Sequence, residues 1–164
     1  MILATDFKCF VKILFSVCLL FFQRASIFAQ NQKVADSLVK IYQKNKLENS
    51  EKLELLRNLS FNEVNNLELS LKYADELIAL SKLEKNYLYL HRGYYQKGNK
   101  NRLIGDLNKA LNDFFKSAEA ASKAKFITGK GVAYMSIADV YSIMGNANNA
   151  EVYYTKSIDL LRKT

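Results

Sequence analysis

The chain of 164 residues has no proline and only six glycines, so it contains few residues that end a helix. Its two cysteines, Cys9 and Cys18, both lie in an N-terminal segment that is predicted to be removed, which excludes disulfide and thiol chemistry from the remainder. The single histidine, His91, leaves a zinc site without enough ligands, and its position beside Arg92 indicates a packing or surface role. We therefore expect no metal and no cofactor.

Common catalytic and phosphate-binding motifs are also absent from the sequence. There is no GxxxxGK[ST] string, and Gly129-Lys130-Gly131 is more typical of a turn between helices. Neighbouring acids such as Asp75 and Glu76 point in different directions on a helix, which favours solvated charges over a catalytic pair. The sequence predicts a protein that is not an enzyme and has no small-molecule substrate.

The residues that are abundant favour one soluble, mostly helical domain. Hydrophobic residues make up 49% of the chain and charged residues 24%, with a formal net charge of +8. A basic cluster of Lys97, Lys100, Arg102 and Lys109 has Tyr94 and Tyr95 interleaved, as nucleic-acid binders do. The tyrosines occupy predicted packing positions, however, so we expect no nucleic-acid partner.

Residues 1–29 are typical of a secretory signal peptide. Lys8 and Lys12 precede an apolar run from residue 13 to residue 22, and Ala29 offers a small residue for cleavage. The run is too short to span a bilayer, which needs about 20 residues. Cleavage would remove three positive charges and one negative charge, which leaves +6. The chain is therefore predicted to be exported to the periplasm or the extracellular space.

Two other interpretations of the N-terminus stay open. The apolar run could extend to Phe28 as an uncleaved membrane anchor, although Arg24 would be costly within the hydrocarbon. A lipoprotein signal ending at Cys18 is less favoured, because Val17 is larger than the small residue such a signal needs.

An internal repeat dominates the rest of the sequence. From Tyr134 onward, apolar residues follow helical spacing up to a turn at Gly145, and a second helical stripe begins at Ala150. The same pattern occurs 40 residues earlier. A further shift of 40 gives a blurred third copy that includes Phe61, Asn65, Ser70, Ala74 and Leu77. The residues that define the two clear copies are Tyr94, Gly98, Gly105, Ala110, Phe114, Tyr134, Ala138, Tyr141, Gly145, Ala150 and Tyr154. A period of this size is typical of a solenoid.

At these positions the chain resembles the tetratricopeptide repeat family. Large, small and aromatic residues, then a turn glycine, alanine and a second aromatic, follow the family's order in the last copy. The resemblance implies an all-α, right-handed α-solenoid of stacked antiparallel helical hairpins. We expect about three repeats, near residues 50–85, 86–126 and 129–164, which together form a domain over 50–164. The period of 40 is longer than the usual spacing of about 34.

An N-terminal helix and linker over residues 30–49 are predicted to cap this stack. Val34, Leu38, Ile41 and Tyr42 are predicted to share its apolar face. Phe61 is predicted to lie on the apolar side of the next helix, together with Leu53, Leu56 and Leu59.

The resemblance further implies a concave groove, lined by the first helix of each hairpin, that holds a protein or peptide. The residues expected there are Arg92, Tyr95, Gln96, Asn99 and Arg102 in the middle repeat, Met135, Asp139 and Ser142 in the last, and Lys52, Leu55 and Leu59 in the first. Arg92, Asn99 and Arg102 could bind a carboxylate through charge-assisted hydrogen bonds. They do not match the family's carboxylate-clamp pattern.

Two functions remain open at this stage. One is an exported, non-enzymatic module for protein–protein interaction. The other is the N-terminal sensory or scaffolding part of a longer signal-transduction protein, because the chain is similar to the signal-peptide-plus-repeat regions of bacterial sensor histidine kinases and nucleotide cyclases. Tyr153, Ile158 and Leu161 indicate an uncapped C-terminal end, which would suit further repeats or self-association.

Overall fold

The computed structural model describes residues 32–44 and 46–164, and these residues are all-helical. Helix α1 covers residues 32–44. It is followed by α2 (Asn49–Asn62), α3 (Leu67–Leu83), α4 (Tyr87–Leu103), α5 (Leu107–Lys123), α6 (Ile127–Ile143) and α7 (Ala147–Leu161). Within the described residues the predicted all-α class is confirmed. The predicted signal peptide and its alternatives lie outside them.

Helices α2 to α7 form three hairpins that pack one after another as a solenoid-like repeat. Each helix contacts the next, and the short turns between them make consecutive helices antiparallel. The 40-residue period is kept in the helix starts, since α4 and α6 begin at Tyr87 and Ile127. Helices α3, α5 and α7 begin at Leu67, Leu107 and Ala147, which keep the same spacing.

The turn within each hairpin uses one repeated device. Asn66, Asp106 and Asn146 accept a hydrogen bond from the backbone amide three residues later, which satisfies a free amide at the helix start. Gly105 and Gly145 precede two of these caps with φ of 81° and 74°, a conformation that glycine adopts without a steric penalty. The turn residues seen in the sequence therefore both end one helix and begin the next.

Two neighbouring clusters form the core. The first is rich in leucine and lies between α2 and α3, with Leu53, Leu56, Leu59, Tyr73 and Leu77 buried. The second joins hairpin α4–α5 to hairpin α6–α7, and its buried members are Ala110, Phe114, Ile137 and Val140. Tyr95, Tyr134, Tyr141 and Tyr153 pack around it. Gly98 and Ala138 are buried as well, and a Cβ atom at Gly98 would lie 2.8 Å from the Phe114 ring.

The predicted apolar faces of α1 and α2 need correction. In α1 the buried face consists of Ala35, Leu38, Val39 and Tyr42, whereas Val34 and Ile41 are exposed. Small Ala35 is the one fully buried residue of this face. Phe61 is also exposed, because it is two residues beyond Leu59 and therefore points away from the face that Leu59 buries.

Candidate interaction surface

The first helices of the three hairpins form an inner layer. Helix α4 contacts both α2 and α6, whereas the described second helices α3, α5 and α7 make no such contacts with one another. Inner helices that touch while outer helices are spread apart make the inner side the concave one. We call the exposed side of α2, α4 and α6 the inner face.

Glu54 is the centre of a polar cluster at the α2 end of the inner face. Its carboxylate accepts hydrogen bonds from Arg57 Nε at 3.0 Å, from the Tyr89 hydroxyl at 2.8 Å and from Asn58 Nδ2 at 3.1 Å. Arg92 lies 3.7 Å from the same carboxylate, and its guanidinium is 5.0 Å from the centre of the Tyr89 ring. Residues of α4 are thereby connected to α2 through one acidic side chain.

A second polar cluster joins α4 to the last hairpin. Arg102 lies 3.8 Å from Asp139 and is 3.4 Å from the side-chain oxygen of Asn99. The Tyr154 hydroxyl donates to Asp139 at 2.7 Å, and this hydrogen bond raises the pKa of Tyr154. Ser136 Oγ donates to the Tyr95 hydroxyl at 3.4 Å. The inner face is therefore braced across both junctions between hairpins.

The structure places the predicted groove residues unevenly. Half-buried positions on the inner helices are occupied by Arg92, Tyr95, Gln96, Asn99, Arg102 and Asp139, and Met135 is exposed. Leu55 and Leu59, in contrast, are buried in the leucine cluster, so their predicted place in the groove is wrong. The sequence analysis missed Glu54, Arg57 and Tyr89. The i, i+3 spacing of Glu54 and Arg57 is the one signal that could have indicated an ordered pair.

Both predicted carboxylate-binding arginines already face a carboxylate of the chain. The distances of 3.7 Å and 3.8 Å are long for ion pairs, and about a third of each arginine side chain is exposed. Such pairs typically contribute only about 0–1 kcal/mol. A partner's carboxylate could therefore take the place of Glu54 beside Arg92, or of Asp139 beside Arg102, at small cost.

The pKa of Glu54 provides a test of the first cluster. The hydrogen bond from Arg57, and then that from Tyr89, lower this pKa from 4.5 to about 2, although partial burial opposes the change. A lowered pKa contributes stability that is present above about pH 4.5 and is lost as the pH falls toward about 2. We expect Glu54→Gln to flatten the decline of melting temperature between about pH 5 and about pH 2.5.

The matched control for this measurement is Glu84→Gln, which makes the same charge change at an exposed position beyond the end of α3. Melting followed by circular dichroism over the pH series checks the prediction. Parallel curves for wild type and Glu54→Gln would contradict it.

His91 and Ser117 form a buried pair that resembles a nucleophile beside a base. Ser117 Oγ lies 2.8 Å from His91 Nδ1 and donates to the His91 backbone oxygen at 3.1 Å. Burial lowers the pKa of His91, and Ser117 has no exposed surface. Ser157, 40 residues later, donates in the same way to the backbone oxygen of Gly131, where no histidine is present. The contact is thus part of the repeat's packing, and a substrate has no access to it.

Two of the residues predicted at an uncapped C-terminal end pack against other residues of the chain. Tyr153 packs edge-on against Phe115 and Tyr134, and Leu161 packs on Gly131. Ile158 differs, since 48% of it is exposed, whereas the residues one and two repeats earlier, Ala118 and Ile78, are 4% and 7% exposed. The next hairpin covers those two positions, and nothing described covers Ile158.

Two negative findings apply to the described part of the chain. None of its helices is long and apolar enough to cross a bilayer. No group of three or more histidine, cysteine, aspartate and glutamate side chains in it is arranged to hold a metal ion.

Comparison with known proteins gives no assignment. No model of a known protein family matches the sequence. A search of curated proteins also finds no match.

Proposed function

We propose that the chain is a tetratricopeptide-like scaffold, without enzymatic activity, that binds a protein or peptide partner on its inner face. The observation that carries this proposal is the side-by-side arrangement of α2, α4 and α6, with α3, α5 and α7 behind them. A concave layer allows side chains from several helices to contact one ligand. A convex layer spreads its side chains apart.

The chemistry of the inner face favours a partner segment with acidic residues and an apolar contact. Three arginines, Arg57, Arg92 and Arg102, face two carboxylates, Glu54 and Asp139, so positive charge is in excess. Arginine binds carboxylates through paired hydrogen bonds. Exposed Met135 and half-buried Tyr95 add apolar surface at the α4–α6 junction.

The cellular setting belongs to the same proposal. Residues 1–29 would direct the chain out of the cytoplasm, and the scaffold would act there as a separate module. The alternative is the N-terminal region of a longer signalling protein, and the exposure of Ile158 favours it, because a further hairpin would cover that residue as earlier hairpins cover Ile78 and Ala118.

Neutralising two arginines tests the inner face. We expect Arg92→Gln combined with Arg102→Gln to reduce partner capture about tenfold or more, since two charge-assisted contacts would be lost. The double variant should keep its fold, because both side chains are partly exposed and their ion pairs are long. The measurement is quantitative cross-linking and mass spectrometry of the tagged protein in its native host.

The control is Lys72→Gln combined with Lys123→Gln, which removes two charges from exposed positions on the outer helices α3 and α5. Equal loss in both double variants would indicate only long-range attraction by a basic protein. If neither double variant lost the partner, binding would belong elsewhere, and the exposed surface around Ile158 would be the next candidate.

A further inference from the structure

A cavity of about 430 Å³ lies between α3, α4 and α5, away from the inner face. Helix α4 contributes Tyr94, Lys97 and Asn101 to it. At about 100° per residue, these three residues lie on the side of α4 opposite to Arg92 and Asn99. The other lining residues are Asp75, Ile78, Lys82, Lys109, Asn112, Asp113 and Lys116. Its volume suits a small ligand.

The lining carries four lysines and two aspartates, so positive charge is in excess. Lys97 pairs with Asp75 at 2.6 Å, and Lys109 pairs with Asp106 at 2.7 Å. Lys82 and Lys116 form no ion pair with any described residue. Both approach the same ring, with Nζ atoms 5.7 Å and 5.6 Å from the centre of Tyr94.

The ammonium groups of Lys82 and Lys116 are at most about 11 Å apart, because both distances are measured to the same ring centre. Each ammonium gains a modest attraction to the ring, whereas the two ammonium groups repel each other. An anion between them would remove the repulsion and form an attractive contact with each. A monovalent anion can neutralise one of the two charges, and a phosphate group can neutralise both.

The wall of the cavity is fixed by a buried polar pair. Asn101 Nδ2 donates to Asp113 Oδ2 at 2.7 Å, and both residues are more than nine-tenths buried. Burial raises the pKa of Asp113, although Asn101, Lys97 and Lys116 all favour its charged form. This carboxylate repels an anion, so replacing it with a neutral side chain should strengthen anion binding.

The corresponding position in the next hairpin has a different chemistry. A cavity of about 320 Å³ there contains Tyr134 and Lys156, which lie 40 residues after Tyr94 and Lys116. Where the first cavity has Asp113 and Lys82, the second has Tyr153 and Ser122. The repeat alone therefore produces a cavity beside a tyrosine. The second cavity also has two lysines, Lys130 and Lys156, but they approach different rings, whereas Lys82 and Lys116 approach the same ring.

We propose that this cavity binds the phosphate group of a small ligand, held between Lys82 and Lys116. Lysine binds phosphate as a point charge, and two lysine charges match a doubly charged phosphate better than a singly charged carboxylate. None of the ten residues that line the cavity in the described chain is arginine. This ligand class was not suggested by the sequence, and the site is independent of the partner proposed for the inner face.

The test is calorimetric titration of the purified protein, at low ionic strength, with inorganic phosphate and with glycerol phosphate. The two probes distinguish a free anion from an ester. We expect Lys82→Gln and Lys116→Gln each to weaken the binding of the tighter probe about tenfold, and Asp113→Asn to strengthen it several-fold. The matched control, Lys156→Gln, makes the same substitution at the equivalent position of the next hairpin and should change the affinity by less than twofold.

Circular dichroism verifies the fold of each variant, and the three lysines are exposed, so their replacement should not disturb it. Absence of saturable binding would overturn the proposal. Equal losses in Lys116→Gln and Lys156→Gln would also overturn it, since general attraction would then explain the binding. Acetate binding as tightly as phosphate would assign the cavity to carboxylates instead.

Discussion

Replacing Phe114 with alanine should lower the free energy of unfolding by about 3–5 kcal/mol, the usual cost of removing a buried phenylalanine ring. The Phe114 side chain has no exposed surface. It lies on Gly98, is 5.7 Å from the Tyr95 ring between centroids, and belongs to the cluster that joins the second hairpin to the third. The empty space left by the ring would therefore weaken the second hairpin and its interface with the third.

Phe115→Ala is the matched control, because it removes the same ring one residue later. Phe115 is 36% exposed and makes an edge-on contact with Tyr153, so we expect a loss of at most about 1–2 kcal/mol. Urea unfolding followed by circular dichroism measures both variants. Similar losses would show that the hairpins do not share the core described above.

The denaturation curve of Phe114→Ala should also become less cooperative. In a stack of repeats, stability is approximately the sum of each repeat and its contacts with the next. Weakening the contact between the second and third hairpins should allow the last hairpin to unfold separately, which would lower the apparent slope of the transition.

The helices were predicted well from the sequence because equivalent positions in different copies of the repeat support the same assignment. A turn at Gly145 is supported by Gly105, and both have the positive φ that a helix end of this kind uses. Helical spacing from Tyr134 is supported by the copy 40 residues earlier. Where no second copy exists, as in α1, the apolar face was assigned from large residues, and small Ala35 was overlooked.

Contacts that cross between hairpins could not be predicted from the sequence. Glu54 and Tyr89 are 35 residues apart, and nothing in their spacing indicates a hydrogen bond. Lys100 is a clearer case, since its Nζ is buried and donates to the backbone oxygen of Glu63 at the end of α2. From the sequence, Lys100 was assigned to a basic cluster. In the structure its hydrogen bond stabilises the turn between α2 and α3.

The cavity beside Tyr94 illustrates the same limit for a site. Tyr94 was assigned to packing from its place in the repeat, and Lys82, Lys97, Lys109 and Lys116 belong to three different helices. Their convergence depends on how α3 packs against the following hairpin. A charge count along the chain cannot separate converging lysines from dispersed ones.

Gly98→Val should destabilise the chain by about 3 kcal/mol, and it should cost less in a chain that already carries Phe114→Ala. A Cβ atom at Gly98 would lie 2.8 Å from two ring atoms of Phe114, closer than real Cβ atoms approach, and the fully buried ring has no space to move into. Removing the ring leaves a cavity at the place that the valine methyl groups would occupy.

The two substitutions should therefore be strongly coupled. We expect the double variant to be at least about 1 kcal/mol more stable than the sum of the two single losses, as for residues that share one cavity. The control combines Gly98→Val with Phe115→Ala, because the Phe115 ring is not among the atoms nearest to Gly98. Urea unfolding of wild type and all the variants gives both couplings. Additive losses in the first cycle would mean that Gly98 is not where α4 and α5 cross most closely, and the alignment of Gly98 with Ala138 in the repeat would then have to be shifted.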